Sequence, residues 1–262
     1  MRRVRTSLPA PDRSVLLSNI LITDSGAKAA DNLPRIVQQN VASFRAFHDE
    51  HDYRLFLEQD VIDLIRDKFP PSVLEAYYAL KPYAYRADLA RYCLLHEYGG
   101  LYADLSYFFV APVPMPEDRL TVFRGNLVSS PWDTSNGIIF AQPGHKVFEC
   151  AIDLVCANVK RRYYGSTSLC PSGPVVWGKA LAMTCEAEEL ISGLGSLQVR
   201  SKVQRIAPGI SLPEGERIHT QTLKDELIAV KRKRFKSPGL TELGIADGNT
   251  YRTMWHDKDV YA

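Results

Sequence analysis

In "GGLYADLSYFF" (99–109), Asp104 stands alone among leucine, tyrosine and phenylalanine side chains. A carboxylate in such company is costly unless something binds it. Carboxylates accept hydrogen bonds from hydroxyl groups and ligate hard cations. Just upstream, "RADLARY" sets Asp88 and Arg91 three residues apart, on one face of a helix that contains both. The plainest account of that pair is a local salt bridge on a solvated face. If 99–109 is one strand, alternation sends Tyr102, Asp104 and Ser106 to one face and Leu101, Ala103 and Leu105 to the other. One ligand can then meet both Asp104 and Ser106. In an open α/β sheet, ligands bind outside the carboxyl ends of strands, and Asp104 ends an apolar strand.

The elements that must position these residues are legible in part. "SVLLSNILITDS" (14–25) is an apolar, β-prone run closed by small polar residues, and "LPRIVQQNVASFRAFHDEH" carries Ile36, Val37, Val41, Phe44 and Phe47 at helical spacing. "YRLFLE" (53–58) reads as a second strand, and "DVIDLIRDKF" (60–69) as a helix capped by Asp60. After Pro70-Pro71, "SVLEAYYAL" and "YAYRADLARYCLLHEY" read as helices parted by Lys81-Pro82, the second ending at Gly99-Gly100. "PVPMPEDR" is a loop, "LTVFRG" and "GIIFAQ" (137–142) are strands, and "GHKVFECAIDLVCANVKRR" is an amphipathic helix. Further on, "YYGSTSLCPSGP" is a loop, "VVWGKALAMTC" a helix, "LQVRSK" and "QRIAPGI" short strands, and "KRKRFKSPG" a basic loop. Alternating strands and helices predict a layered α/β domain with an open, mainly parallel sheet flanked by helices. The expected organisation is a loose basic tail over 1–13, with four arginines and two prolines, followed by one domain over 14–262.

Composition narrows the classes. The 262 residues are 45% apolar and 24% charged, with a net charge of +2, which is ordinary for a folded protein and gives no reason to expect nucleic acid as the partner. The five cysteines form no CxxC pair, so reduced thiols in a cytoplasmic setting are expected. No run reaches the ~18 apolar residues of a membrane span. A nucleotidyltransferase needs a glycine-rich basic loop after its first strand, and "TDSGAKAADN" holds one glycine and one lysine.

"KPYAYRADLARYCLLHEYGGLYADLS" resembles the signature of the sugar-binding, DXD-containing glycosyltransferases: family 32 and its relatives among capsule-polysaccharide enzymes and the large clostridial toxins. That pattern, an Asp-x-x-Arg on a helix, a Gly-Gly pair, a tyrosine and Asp-x-Asp, matches here at Asp88, Arg91, Gly99, Gly100, Tyr102 and Asp104. "SNGIIFAQPGHKVFE", "PSGPVV" and the ending "GNTYRTMWHDKDVY" are similar to later segments of the family. The resemblance implies a nucleotide-diphospho-sugar transferase (GT-A) fold and a hexosyltransferase that retains anomeric configuration. Its donor would be a UDP- or GDP-sugar and its acceptor a saccharide or a lipid-linked saccharide, the latter bringing peripheral membrane contact. By the same carry-over, Asp88, Arg91 and Asp104 are the catalytic candidates, and Tyr102, Ser106, Asn136 and Asn249 join them in donor binding. Mn²⁺ or Mg²⁺ would rest on Asp104, Ser106 and His256.

Ser106 departs from the pattern, because the family's last aspartate usually ligates the metal. Three replacements stay open. His256 or Asn249 completes a metal shell, the cations of "KRKRFK" (231–236) neutralise the diphosphate without much metal, or the protein is a non-catalytic relative that still binds sugar nucleotides. Lys231 to Gly239 is expected to act as a lid. The plainer reading of that basic run is a solvated loop, and that of His256 a surface residue. Trp132 and Trp255 are candidates to stack on a base or sugar, against core packing.

Overall fold

In the computed structural model the opening alternation is β1 (Leu16–Leu21), α1 (Gly26–Asp31), α2 (Arg35–Ala46), β2 (Asp52–Leu57), α3 (Glu58–Lys68), α4 (Pro71–Ala79) and α5 (Tyr83–Tyr98). Then come β3 (Gly100–Ala103), β4 (Tyr107–Phe109), β5 (Leu120–Arg124), β6 (Thr134–Ala141), α6 (Lys146–Lys160) and α7 (Pro174–Thr184). The remainder holds β7 (Leu190–Gln198), β8 (Arg205–Ala207), β9 (Ile210–Ser211), β10 (Ile218–Leu223), β11 (Glu226–Lys231) and α8 (Tyr251–His256). The structure describes residues 14–24, 26–124, 134–185, 190–198, 205–207, 210–211, 218–223, 226–231 and 249–262. The expected tail over 1–13, Trp132 and the basic run beyond Lys231 lie outside the described residues.

The main sheet has the order β2-β1-β3-β6-β5-β7-β10-β11-β4. In its first six strands, β2, β1 and β3 pair in parallel, β6 runs against both β3 and β5, and β7 follows β5 in parallel. All but β6 therefore point the same way, which is the mainly parallel open sheet that the sequence predicts. Three antiparallel strands extend it, and β11 comes back into the direction of β3. β10 and β11 have no counterpart in the sequence reading. The alternation Ile218, Thr220, Thr222 is the signal for the first of these strands.

Helices α3 to α7 cover one face of the sheet, and α2 packs on the other beside β4. Trp177 of α7 is fully buried, stacked on Tyr92 of α5 at 5.7 Å and on Phe148 of α6 at 5.5 Å between ring centroids. Each such ring contributes roughly 1.5–3 kcal/mol by burial. Helix α5 is enclosed by these neighbours and buries Asp88 and Arg91 along with Leu89, Tyr92 and Leu94. The solvated face proposed for the Asp88–Arg91 pair is thus corrected: both side chains are buried, on a face of α5 that Asn136, Ser172 and Asp104 close off.

Two glycines let α5 turn straight into the sheet. Gly99 has φ +62 and Gly100 φ +93, and a Cβ on Gly100 would lie 2.2 Å from the Leu16 carbonyl oxygen. Only glycine permits β3 to begin that close to β1. A second correction concerns the strand that follows. It stops at Ala103, and Leu105-Ser106 form a turn into β4, so strand alternation does not reach Ser106. Asp60 also differs from its expected role: it lies inside α3, and its Oδ2 accepts the Leu57 N–H at 2.8 Å. Among the described residues, no helix is long and apolar enough to cross a membrane.

Candidate active site

Helix α5, the end of β3 and the start of β6 meet at one edge of the sheet. Because β6 is antiparallel to β3, the carboxyl end of β3 lies beside the amino end of β6, with Ala103 paired to Ile138. The Asp104 N–H donates to the Gly137 carbonyl at 2.8 Å and fixes the backbone there. A Cβ on Gly137 would sit 2.8 Å from Asp104 Oδ2 and 2.9 Å from the Tyr107 ring, so the carboxylate packs directly against bare backbone. From behind, the Asn19 side-chain amide donates to the Ala103 carbonyl at 2.6 Å, and the Asn40 amide to that of Leu105 at 2.9 Å. Three elements, β1, α2 and β6, therefore clamp the turn that carries Asp104.

Arg91 joins the two carboxylates. Its guanidinium lies 3.2 Å from Asp88 Oδ1 and donates to Asp104 Oδ1 at 3.1 Å, to the Asn136 carbonyl at 2.7 Å and to the Ala87 carbonyl at 3.1 Å. It also lies over the Tyr102 ring at 4.7 Å; burial works to lower its pKa, but Tyr102, Asp104 and Asp88 outweigh that and raise it. Asp88 accepts from the Asn136 amide at 2.8 Å and from the Ser172 hydroxyl at 2.9 Å. Its burial raises its pKa above the ordinary aspartate value, with Arg91, Ser172 and Asn136 opposing.

Asp104 behaves otherwise. Burial pushes its pKa up, but Lys231 and Arg91 outweigh that, and the carboxyl is held below the usual range. Lys231 Nζ donates to Asp104 Oδ2 at 3.1 Å, and the Tyr102 hydroxyl to Oδ1 at 3.0 Å. Asp104 keeps 23% of its side-chain surface exposed and Lys231 keeps 26%, so this ion pair is the open side of the constellation. Ser172 was missed as a site residue by sequence reasoning, whereas Lys231 belongs to the run of cations offered there as one way to neutralise a diphosphate. Ser172 was visible within the quoted "PSGPVV" loop, and Lys231 heads the basic run at 231–236.

The structure thus gathers Asp88, Arg91, Asp104 and Asn136. It places the other candidates differently. Tyr102 is buried, with its hydroxyl turned to Asp104 rather than outward. Ser106 is buried in the turn after Asp104. Asn249 spends both ends of its amide on backbone: it accepts from the Tyr83 N–H at 2.8 Å and donates to the Lys81 carbonyl at 2.8 Å, tying the C-terminal segment to the start of α5. His256 ends α8 exposed, with its ring against Trp255 at 5.0 Å. The Trp255 indole donates to the Tyr164 carbonyl at 2.8 Å, so this ring pins α8 to the loop after α6. From the same helix, Tyr251 packs on Tyr85 at 5.8 Å.

The metal that the resemblance implies does not fit this donor set. Both Asp104 oxygens already accept from cations or a hydroxyl, position 106 supplies a neutral hydroxyl, and His256 is exposed on another helix. Among the described residues, no three histidine, cysteine, aspartate or glutamate side chains come together to hold an ion. Of the expected shell of Asp104, Ser106 and His256, Ser106 is buried in the turn after β3 and His256 is exposed at the end of α8.

Comparison with known proteins points the same way as the signature. Residues 27–121 match the family model described as a glycosyltransferase sugar-binding region containing a DXD motif. A protein of Acanthamoeba polyphaga mimivirus named as an uncharacterized glycosyltransferase is 32% identical over 109 residues, covering 36% of this chain and 38% of that one. A Saccharomyces cerevisiae protein named as a glycosyltransferase, HOC1, is 31% identical over 126 residues, covering 40% and 32%. The chain thus spans about a third of the length of these curated relatives. A solved PaToxG glycosyltransferase is similar with a TM-score of 0.48 and 16% identity, over 65% of this chain and 69% of its own. Asn136, Ser172 and Lys231 come from outside the matched stretch. The stretch that supplies Asp88, Arg91, Tyr102 and Asp104 is the one similar to the DXD-containing glycosyltransferase sugar-binding region.

Proposed function

We propose that this protein is a glycosyltransferase that moves a hexose from a UDP- or GDP-sugar to a saccharide or lipid-linked acceptor, with retention of anomeric configuration. The observation that carries this reading is the Arg91-centred constellation at the carboxyl end of β3, built largely by the family-matched stretch. Ligands of open α/β sheets bind at this edge. Donor hydroxyls would hydrogen-bond the Asp88 carboxylate, where Asn136 and Ser172 fix the orientation of both oxygens. The diphosphate would approach the open side at Asp104 and Lys231, where negative charge grows as the glycosidic bond breaks.

Purified protein incubated with UDP- and GDP-hexoses should release UDP or GDP, slowly in water and faster with a saccharide acceptor. Asp104→Asn should lower that release by about a hundredfold or more, the scale of removing one electrostatic contact at a reacting centre. Release at the wild-type rate would defeat the assignment. A second reading, a non-catalytic relative that binds sugar nucleotides, is favoured by the serine at 106 and by the internal satisfaction of Asp104. It expects nucleotide binding with no release under any of these conditions.

A further inference from the structure

The cation that faces the donor site is supplied by the chain itself. Strand β11 runs in the direction of β3, so its last residue reaches the same edge of the sheet. Pairing of Lys231 with Tyr107 sets its height, and the ammonium lies 5.0 Å from the Tyr107 ring centroid while donating to Asp104 Oδ2. Tyr107 is itself tied to the same turn, its N–H donating to the Asp104 carbonyl at 3.1 Å. Lys231 is therefore built into the site by strand pairing and an aromatic floor, and is not a surface lysine that happens to lie near. An ammonium has three N–H donors. One is used on Asp104, and a quarter of the side chain is open to solvent.

Charge arithmetic gives this position its meaning. In the DXD pattern the last aspartate and a divalent ion together add one positive charge to the site. Here Ser106 is neutral and Lys231 adds one positive charge, so the balance is the same with neither the second carboxylate nor the ion. A lone serine substitution would have left a dication with one carboxylate too few. Serine together with Lys231 leaves no such mismatch.

Resting on the glycosyltransferase reading, we infer that Lys231 takes the place of the divalent cation: its ammonium, held by Asp104, binds and neutralises the donor diphosphate, and donor binding does not depend on metal. The test is titration calorimetry of UDP and GDP against the full chain, in EDTA and in Mn²⁺. For the nucleotide that binds, the wild-type dissociation constant should agree between the two conditions within about threefold. Lys231→Met should weaken binding in EDTA by about tenfold or more, the scale of one charge-assisted hydrogen bond, and Lys231→Arg should restore most of it. Recovery by arginine is a result that a purely structural role for the lysine stem would not give. Wild-type binding that is tight only with Mn²⁺, or Lys231→Met binding as wild type does in EDTA, overturns the inference and leaves the glycosyltransferase reading standing. Failure of both nucleotides to bind under either condition overturns both. Should Lys231→Met not fold, the wild-type comparison between EDTA and Mn²⁺ decides alone.

Discussion

Asp88 within α5 and Asp104 at the end of β3 both contact Arg91, yet their surroundings differ in kind. Asp88 is deep, 8% exposed, and apart from Arg91 it meets neutral donors from β6 and the loop before α7. Burial dominates there and raises its pKa. Asp104 has a second cation, Lys231, and its pKa falls. One arginine cannot neutralise two buried carboxylates, so the fold brings Lys231 from far along the chain to the outer one. The inner carboxylate is held in place by hydrogen bonds and the outer one by charge. This separates a rigid, hydrogen-bonded end of the site from an open, electrostatic one.

Removing the shared arginine is the severest way to break the comparison. Arg91→Met would leave Asp88 buried without a cation and Asp104 with Lys231 alone, at an expected cost of about 3–5 kcal/mol. Chemical denaturation should show the loss, and it should lessen at acid pH, where Asp88 takes a proton. A loss under 1 kcal/mol would mean that the carboxylates do not depend on this guanidinium.

The carboxylates should then differ from each other in pH dependence. The folded pKa of Asp104 lies below its unfolded value, so its stabilisation is complete above about pH 4 and drains away as the pH falls through the folded value. The folded pKa of Asp88 lies above its unfolded value, so its contribution is complete below about pH 4 and is lost as the pH rises through the folded value. Burial raises both; Lys231, Arg91 and Tyr102 outweigh it at Asp104, whereas at Asp88 Arg91, Ser172 and Asn136 oppose it without overcoming it and the Asp104 charge adds to it. At neutral pH, Asp104→Asn should cost about 1–3 kcal/mol, since it strips charged hydrogen bonds from two cations, and Asp88→Asn less than that. Melting temperatures from pH 3 to 8 would check it. Equal losses at pH 7 would erase the distinction.

The mildest test uses the glycine that lies against each carboxylate. A Cβ on Gly137 would be 2.8 Å from Asp104 Oδ2 and would also meet the Tyr107 ring, whereas one on Gly173 would be 3.2 Å from Asp88 Oδ2 with backbone at 3.4 Å. Gly137→Ala should cost about 1–3 kcal/mol through forced displacement of Asp104, and Gly173→Ala should fall at or below the lower end of that range. Nucleotide affinity should fall with Gly137→Ala before it falls with Gly173→Ala. The opposite order would place the diphosphate near Asp88.

The chain's local chemistry determined a good deal by itself. Apolar runs, helical spacing and glycine punctuation predict β1, α2, β2, α5 and α6 close to their observed bounds, because each is set by its own residues and the period of its side chains. The Asp-x-x-Arg, Gly-Gly and Asp104 pattern was legible for the same reason. What the sequence could not decide is what those residues face. The three-residue spacing of Asp88 and Arg91 is the same on a wet helix as on a buried one, and only the tertiary approach of Asn136, Ser172 and Asp104 to that face settles which this is. Strand alternation carried past Ala103 put Ser106 beside Asp104, but Asn19, Asn40 and Gly137 hold the backbone there in a turn. Lys231, in a basic run that reads as solvated, reaches Asp104 because strand order and direction bring the end of β11 to the edge where β3 ends. Charge pairing across such a separation is a property of the sheet's topology, and no local pattern of residues encodes it.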